Sequence, residues 1–211
     1  ECTLAHFEAG SPALAAALEK CLLYCKGYPY LGSTDEGLGL LFIGDTGVGK
    51  THLAVGVLRE LALAKGATGQ FWDFHELMRE IRSSYNPDVR MTETEVLDPI
   101  INTDILVLDD LGAWKMTDWM NDTLFYILNS RYLAKRATLI TTNYEDADRQ
   151  QAQQADSLRR KEFLVDRIGQ RLRSRLMQMC LVIRVEATDH RQARQHSNEA
   201  AVRGGQRSRQ T

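Results

Sequence analysis

The sequence predicts an α/β domain built on a parallel sheet, and three observations carry that expectation. Short apolar runs alternate with longer helical patterns along most of the 211 residues, the order that builds βαβ units. The stretch Leu38–Leu53, LGLLFIGDTGVGKTHL, runs from an apolar strand through a glycine-rich turn straight into a helical pattern. Further on, Asp104–Gly112, DILVLDDLG, sets four aliphatic residues ahead of two carboxylates. That is a buried parallel strand delivering acids to its carboxyl end, where ligands of open α/β sheets bind.

In chain order, Ser11-Pro12 supplies a helix start, with Ser11 as cap and Pro12 in the first turn, and Gly27 and Pro29 stop that helix near Cys25 or Lys26. A polar Gly32–Gly37 linker leads into the first strand. The helix after the glycine-rich turn carries Leu53, Val55, Val57, Leu58, Leu61 and Leu63, apolar on most sides, and ends near Gly66. Strand two is Gly69–Phe74, followed by a helix Glu76–Ser84, a break at Asn86-Pro87 and a helix at about Thr92–Ile101. After the acidic strand come a helix Asp118–Leu133, a strand Ala137–Thr142 ending in Asn143, and a polar loop Glu145–Ser157. The helix Asp166–Cys180 sets Arg167, Arg171 and Arg175 four apart in one stripe, beside an apolar stripe of Ile168, Leu172 and Leu176. A last strand, Leu181–Val185, closes the sheet. From Arg191 the Gln/Arg/Gly/Ser composition predicts a disordered basic tail.

Gly44-Asp45-Thr46-Gly47-Val48-Gly49-Lys50-Thr51 fits the spacing of a phosphate loop, with His52 next in the helix. The glycines let the backbone curl so that successive N–H groups and the helix N-terminus face a β-phosphate. Lys50 adds a mobile charge for the β/γ oxygens, and the Thr51 hydroxyl is placed to ligate Mg²⁺. Asp109 is expected to hold the same ion through water, and Asp110 to orient or deprotonate the attacking water. The expected ligands are therefore ATP or ADP with Mg²⁺.

Composition excludes other classes. No apolar run approaches membrane-spanning length and nothing resembles a signal peptide, so no membrane partner is expected. Cys2, Cys21, Cys25 and Cys180 read as reduced thiols of a cytoplasmic protein. Cys21 and Cys25 share a helix face but lack further metal ligands nearby. Charge is uneven: residues 1–157 hold 13 Lys/Arg against 23 Asp/Glu, and residues 158–211 hold 13 against 5, or −10 and +8. The carboxy-terminal quarter is the part suited to phosphates or an acidic neighbour. The chain opens on Glu1 rather than methionine, and is expected to be an excised piece of a longer protein.

GDTGVGKTHLA, LVLDDLGAWKMTDW, LNSRY, LITTNY and RIGQRLRSRLMQMC, in that order, resemble the AAA+ ATPase domain of DnaC/DnaI-type replicative helicase loaders. The transposition helper IstB is similar on the same motifs. The resemblance covers about Phe7 to Arg191. It implies a three-layer P-loop fold with a five-stranded parallel sheet of order 5-1-4-3-2 over residues 37–190. Residues 1–36 then form a helical extension and linker, and residues 191–211 the tail. It makes Asn143 the sensor-1 residue, Arg175 the arginine finger and Arg171 its companion, and Phe74–Ile101 an insertion associated with single-stranded DNA. Within that insertion Arg79, Arg82 and Tyr85 are the expected DNA contacts.

Two departures shape the expectation. Asp stands at 110 where many such ATPases carry Glu, which implies slow turnover. The short stretch after the last strand leaves no room for a helical lid domain, so no sensor-2 arginine is assigned and Arg191 is only the nearest candidate by position. The implied function is an ATPase that loads the hexameric replicative helicase onto single-stranded DNA, self-associating head to tail into a ring or helical filament. The alternatives are an IstB-like transposition helper and a non-hydrolysing nucleotide-dependent scaffold. An initiator of the DnaA kind is disfavoured, because no helix-turn-helix reader fits in the tail.

Overall fold

Parallel strands need their backbones buried on both faces, and the apolar runs of the sequence meet that need. In the computed structural model, which describes residues 2–30, 39–85, 92–147 and 162–186, the strands are β1 Gly39–Ile43, β2 Gly69–Asp73, β3 Ile105–Asp109, β4 Ala137–Thr142 and β5 Cys180–Arg184. They form one parallel sheet ordered β2-β3-β4-β1-β5, the order 5-1-4-3-2 read from the other edge. The described helices are α1 Pro12–Gly27, α2 Lys50–Lys65, α3 Phe74–Ser83, α4 Glu93–Asn102, α5 Asp118–Leu133 and α6 Leu164–Met179, with a 3₁₀ turn at Leu4–His6.

Alternation along β1 separates two cores. Leu41 and Ile43 join Leu106, Leu108 and Ile140 against α3, α4, α5 and α6. Leu40 and Phe42 join Val107, Leu139 and Ile183 against α1 and α2. The result is a three-layer α/β/α domain. Cys21 and Cys25 point from α1 into the second core, and burial pushes both thiols up to about 12. They are packing residues there. Among the described residues no three His, Cys, Asp or Glu side chains gather as a metal cluster, and no helix is long and apolar enough to cross a membrane.

Local signals set the boundaries. The Ser11 side chain accepts from Leu14 N, and Gly66 ends α2 in the left-handed region. The Thr92 and Glu95 side chains close a capping box on α4. Helix α3 begins at Phe74, earlier than expected, because the Asp73 carboxylate caps it by accepting from Glu76 N at 2.9 Å. Leu63, expected in the core, is exposed: two residues after the buried Leu61, it is turned away from the face of α2 that carries Leu53, Val57 and Leu61. The expected arginine stripe of α6 is also corrected. Gly169, at φ 77° and ψ 164°, breaks the helical backbone, so Arg167 lies on a different path from Arg171 and Arg175. The Gly32–Gly37 linker, the Asn86-Pro87 break, most of the Glu145–Ser157 loop, Arg191 and the tail lie outside the described residues.

Sequence reading gave no role to Arg131, which is fully buried on α5. It occupies the heptad position after Leu124, Ile127 and Leu128, in the middle of the helix's core face. Its guanidinium donates to the carbonyls of Ile100, Ile101, Thr103, Asp104 and Ala137 and to the Thr138 hydroxyl. Those acceptors are the carbonyl end of α4, whose last carbonyls lack helical partners, and the starts of β3 and β4, where the Asp104 carbonyl also accepts from Ala137 N. Burial pulls its pKa down to about 9, still high enough to keep it charged at neutral pH. Arg131→Ala strands several buried carbonyls at once. It is expected to lower stability by about 3–5 kcal/mol in denaturant unfolding, against under about 1 kcal/mol for the more exposed Arg136→Ala.

Candidate nucleotide-binding site

The loop after β1 reaches its shape through glycines at unusual torsions. Gly47 and Gly49 sit at φ 83° and 102°. A Cβ at Gly44 would lie 2.1 Å from the Val185 carbonyl oxygen, so the loop base passes too close to the end of β5 for any side chain. Gly49 is the N-cap of α2 and offers no side-chain cap, which leaves the first-turn N–H groups facing the cleft.

Around the loop, the carboxyl ends of β3 and β4 bring polar groups together. Lys50 is 6% exposed, and its Nζ donates to the Asp45 carbonyl and to Asn143 Oδ1, both at 2.7 Å. Asn143 Nδ2 donates in turn to Asp110 Oδ1 at 2.8 Å. Thr51 Oγ1 donates to Asp109 at 2.9 Å, and Thr141 Oγ1 donates to the same carboxylate at 2.6 Å. Thr141 Oγ1 also accepts from Asp110 N at 2.9 Å, which fixes a residue held at φ 62°, a torsion rare for a side chain other than glycine. Burial pushes the Asp109 carboxyl above the ordinary carboxylate range; the Thr141 and Thr51 hydrogen bonds oppose this, and the Asp110 and Asp73 charges add to it.

Lys50, Thr51, Asp109, Asp110 and Asn143 line a cleft of about 480 Å³ with Thr46, Gly47, Val48, Gly49 and His52. Gly44 and Asp45 support it from the loop base rather than line it. Sequence reading missed the opposite wall, where Cys2, His6, Phe7 and Glu8 come from the segment before α1. His52 anchors that segment. Its Nε2 meets the Thr3 carbonyl oxygen at 3.0 Å, which requires the proton on Nε2, and Phe7 packs edge-on to its ring at 5.4 Å. No periodicity marks a short turn such as Leu4–His6, so its place over α2 was not legible.

The remaining expected residues lie elsewhere. Arg171 and Arg175 are on α6 and do not line the cleft. Arg79 and Arg82 are exposed on α3, and neither side chain makes an ion pair or hydrogen bond with the described residues. Tyr85 is half exposed and meets Trp119 edge-on at 6.2 Å. Near them His75 stacks on the exposed Trp114 at 4.5 Å, a pair unmarked in the sequence because its members lie on α3 and the loop after β3.

The sequence matches the family described as IstB-like ATP binding protein over residues 31–198, most of the chain. The chain belongs to that family. Within the IstB-like family it is an AAA+ domain of DnaC/DnaI type, which its likenesses to a DnaI and a DnaC support. It is similar to the replicative helicase loader DnaI of Bacillus subtilis (strain 168), 29% identical over 67% of this chain and 44% of the relative. It is also similar to an ATP-binding protein of insertion sequence IS5376 from Geobacillus stearothermophilus, 29% identical over 54% of this chain and 43% of the relative. Among solved structures, a crystal structure of the DnaC helicase loader superposes with a TM-score of 0.71 at 28% identity, covering 88% of this chain and 97% of that one. This IstB-like chain spans under half the length of either sequence relative.

Gly44→Ala tests the loop. The clash with the Val185 carbonyl predicts a stability loss of about 1–3 kcal/mol and a loss of Mg·ATP binding by calorimetry. Gly66→Ala, at φ 67° with nothing within 4 Å of the added Cβ, should cost about 1–2 kcal/mol of strain and leave affinity unchanged.

Proposed function

We propose that this chain is the ATPase module of a protein that loads a hexameric replicative helicase onto single-stranded DNA in the cytoplasm. The observation that carries the reading is the convergence of Lys50, Thr51, Asp109, Asp110 and Asn143 at one end of the sheet. The loop N–H groups from Thr46 to Thr51 and the Lys50 ammonium hold the phosphates of ATP or ADP. Thr51 and Asp109 fit Mg²⁺: a hydroxyl and a carboxylate 2.9 Å apart are hard oxygen ligands on one side of the loop. When bound, that ion neutralises charge on the β/γ oxygens. Asp110, aimed by Asn143, orients the attacking water and accepts its proton, and Asn143 meets the γ-phosphate as sensor. The short side chain of Asp110 makes turnover slow. Residues 37–190 form the module, 1–36 a helical extension and linker, and 191–211 a basic tail.

Arg79, Arg82 and Tyr85 contact single-stranded DNA, an occupant suited to two guanidiniums without ion-pair partners among the described residues and a half-exposed ring. Subunits associate head to tail, the basic carboxy-terminal quarter of one against the acidic remainder of the next. Arg175 thereby reaches the γ-phosphate of a neighbour, with Arg171 beside it. The names of the loader relatives support the helicase partner. A second reading, an ATPase that assists transposition, is supported by the family description and the IS5376 relative. Nucleotide-dependent capture of the hexameric helicase by the full-length protein separates the two: capture supports the loader, and its absence favours the transposition helper.

Two outcomes are expected of the module itself. Lys50→Ala removes a buried charge-assisted contact, so ATP affinity by calorimetry should fall by about 2–5 kcal/mol and phosphate release should stop. Undiminished affinity would refute the site. Arg79→Ala/Arg82→Ala should weaken oligonucleotide binding and flatten the log K against log salt slope by about 1.4, the value for two lost phosphate contacts on a single strand. An unchanged slope would remove both residues from the DNA surface.

A further inference from the structure

Four arginines crowd α6, and the structure separates them by what neutralises their charge. Arg167 reaches back to the carbonyls of Gly112 and Ala113 and pairs with Glu162 at 3.0 Å, pinning the loop after β3. Arg173 forms a forked pair with Asp146, its Nη2 at 2.9 Å from Oδ2. Arg171 lies 3.7 Å from the Phe125 ring centroid and meets Asp122 at 3.5 Å. Arg175 meets no carboxylate among the described residues. It is nonetheless held: Nη2 donates to Asn129 Oδ1 at 2.9 Å, Nη1 donates to Gln178 Oε1 at 2.8 Å, and its guanidinium carbon lies 4.7 Å from the Tyr132 ring centroid.

An amide oxygen and a ring face orient a guanidinium without neutralising it. Two of its five N–H groups are used, leaving one on each terminal nitrogen and that on Nε among the described contacts. Arg175 does not line the chain's own phosphate cleft, which leaves its charge free of the phosphates held there and directed to an anion outside that cleft. Asn129 and Tyr132 stand three apart on one face of α5, while Arg131 between them turns into the core. The short motif Leu128–Tyr132 thus works on two sides, Arg131 fixing where α5 stands and its neighbours fixing where Arg175 points.

We propose that Asn129 and Tyr132 are positioning residues that seat Arg175 for the phosphates held by an adjacent copy of the chain. This rests on Arg175 acting in trans. A long arginine side chain otherwise samples many rotamers, and a donor misplaced by an ångström loses much of its effect on a developing charge.

The test uses mixtures of full-length proteins and DNA-stimulated ATPase. Lys50→Ala supplies a finger without a phosphate site, Arg175→Ala supplies a phosphate site without a finger, and mixing them should restore turnover. Asn129→Ala added to the Lys50→Ala partner should cut the restored kcat about tenfold with KM for ATP little changed. Added to the Arg175→Ala partner, where no finger remains to be seated, it should cost at least fivefold less. Asn129→Asp, which keeps an acceptor but neutralises the finger, should show the same asymmetry and covers the case in which the alanine variant fails to fold. Equal losses on both sides, or none, overturn the positioning role, and a raised rate overturns it in favour of Asn129 sequestering the finger. Failure of the parent mixture to regain activity, with both proteins folded and co-assembling, overturns the trans reading itself and this inference with it.

Discussion

The Asp109 carboxylate ties three elements into one site. It ends β3, accepts from Thr51 at the start of α2 and accepts from Thr141 near the end of β4. Thr141 then passes the constraint on, because the same oxygen accepts from Asp110 N and holds that residue in a left-handed conformation. Asp110 thereby meets Asn143, and Asn143 meets Lys50. A chain of hydrogen bonds from α2 through two strands back to α2 leaves few ways for any member to move alone. Half-buried charges tolerate such crowding only when hydrogen-bonded, so satisfaction of the network and position of the site are the same fact.

The parallel sheet makes that network possible. With β1, β4 and β3 adjacent, the phosphate loop and both acidic and polar strand ends emerge on one edge. Strands β1, β3 and β4 were legible because double burial forces continuous apolar runs, and the phosphate loop because glycine spacing is dictated by backbone torsion. The Thr141 hydroxyl was hidden inside a strand, where threonine is also an ordinary β-former. The segment Cys2–Glu8 was hidden because its place against His52 and Gly49 depends on tertiary contacts with no local pattern.

Arginine shows where sequence reading goes astray. Spacing of four suggested one stripe through Arg167, Arg171 and Arg175, yet a single torsion at Gly169 divides it. Arg167 and Arg173 are consumed by loop carbonyls and carboxylates, and Arg131 by the open ends of α4, β3 and β4. The charge surplus of the carboxy-terminal quarter is therefore smaller in effect than in count. What a sequence cannot display is which guanidinium meets a carboxylate, since that depends on side chains contributed by α5 and by the loop after β4.

The central claim is that the hydrogen bonds of Lys50 and Thr51 mark the places of phosphate and metal. A crystal structure of the chain with Mg²⁺ and a non-hydrolysable ATP analogue tests it directly. The account predicts Lys50 Nζ on the β/γ oxygens, and the Thr51 hydroxyl and Asp109 carboxylate both directed at the ion. Nucleotide bound elsewhere, with the Lys50–Asn143 and Thr51–Asp109 bonds intact, would contradict it.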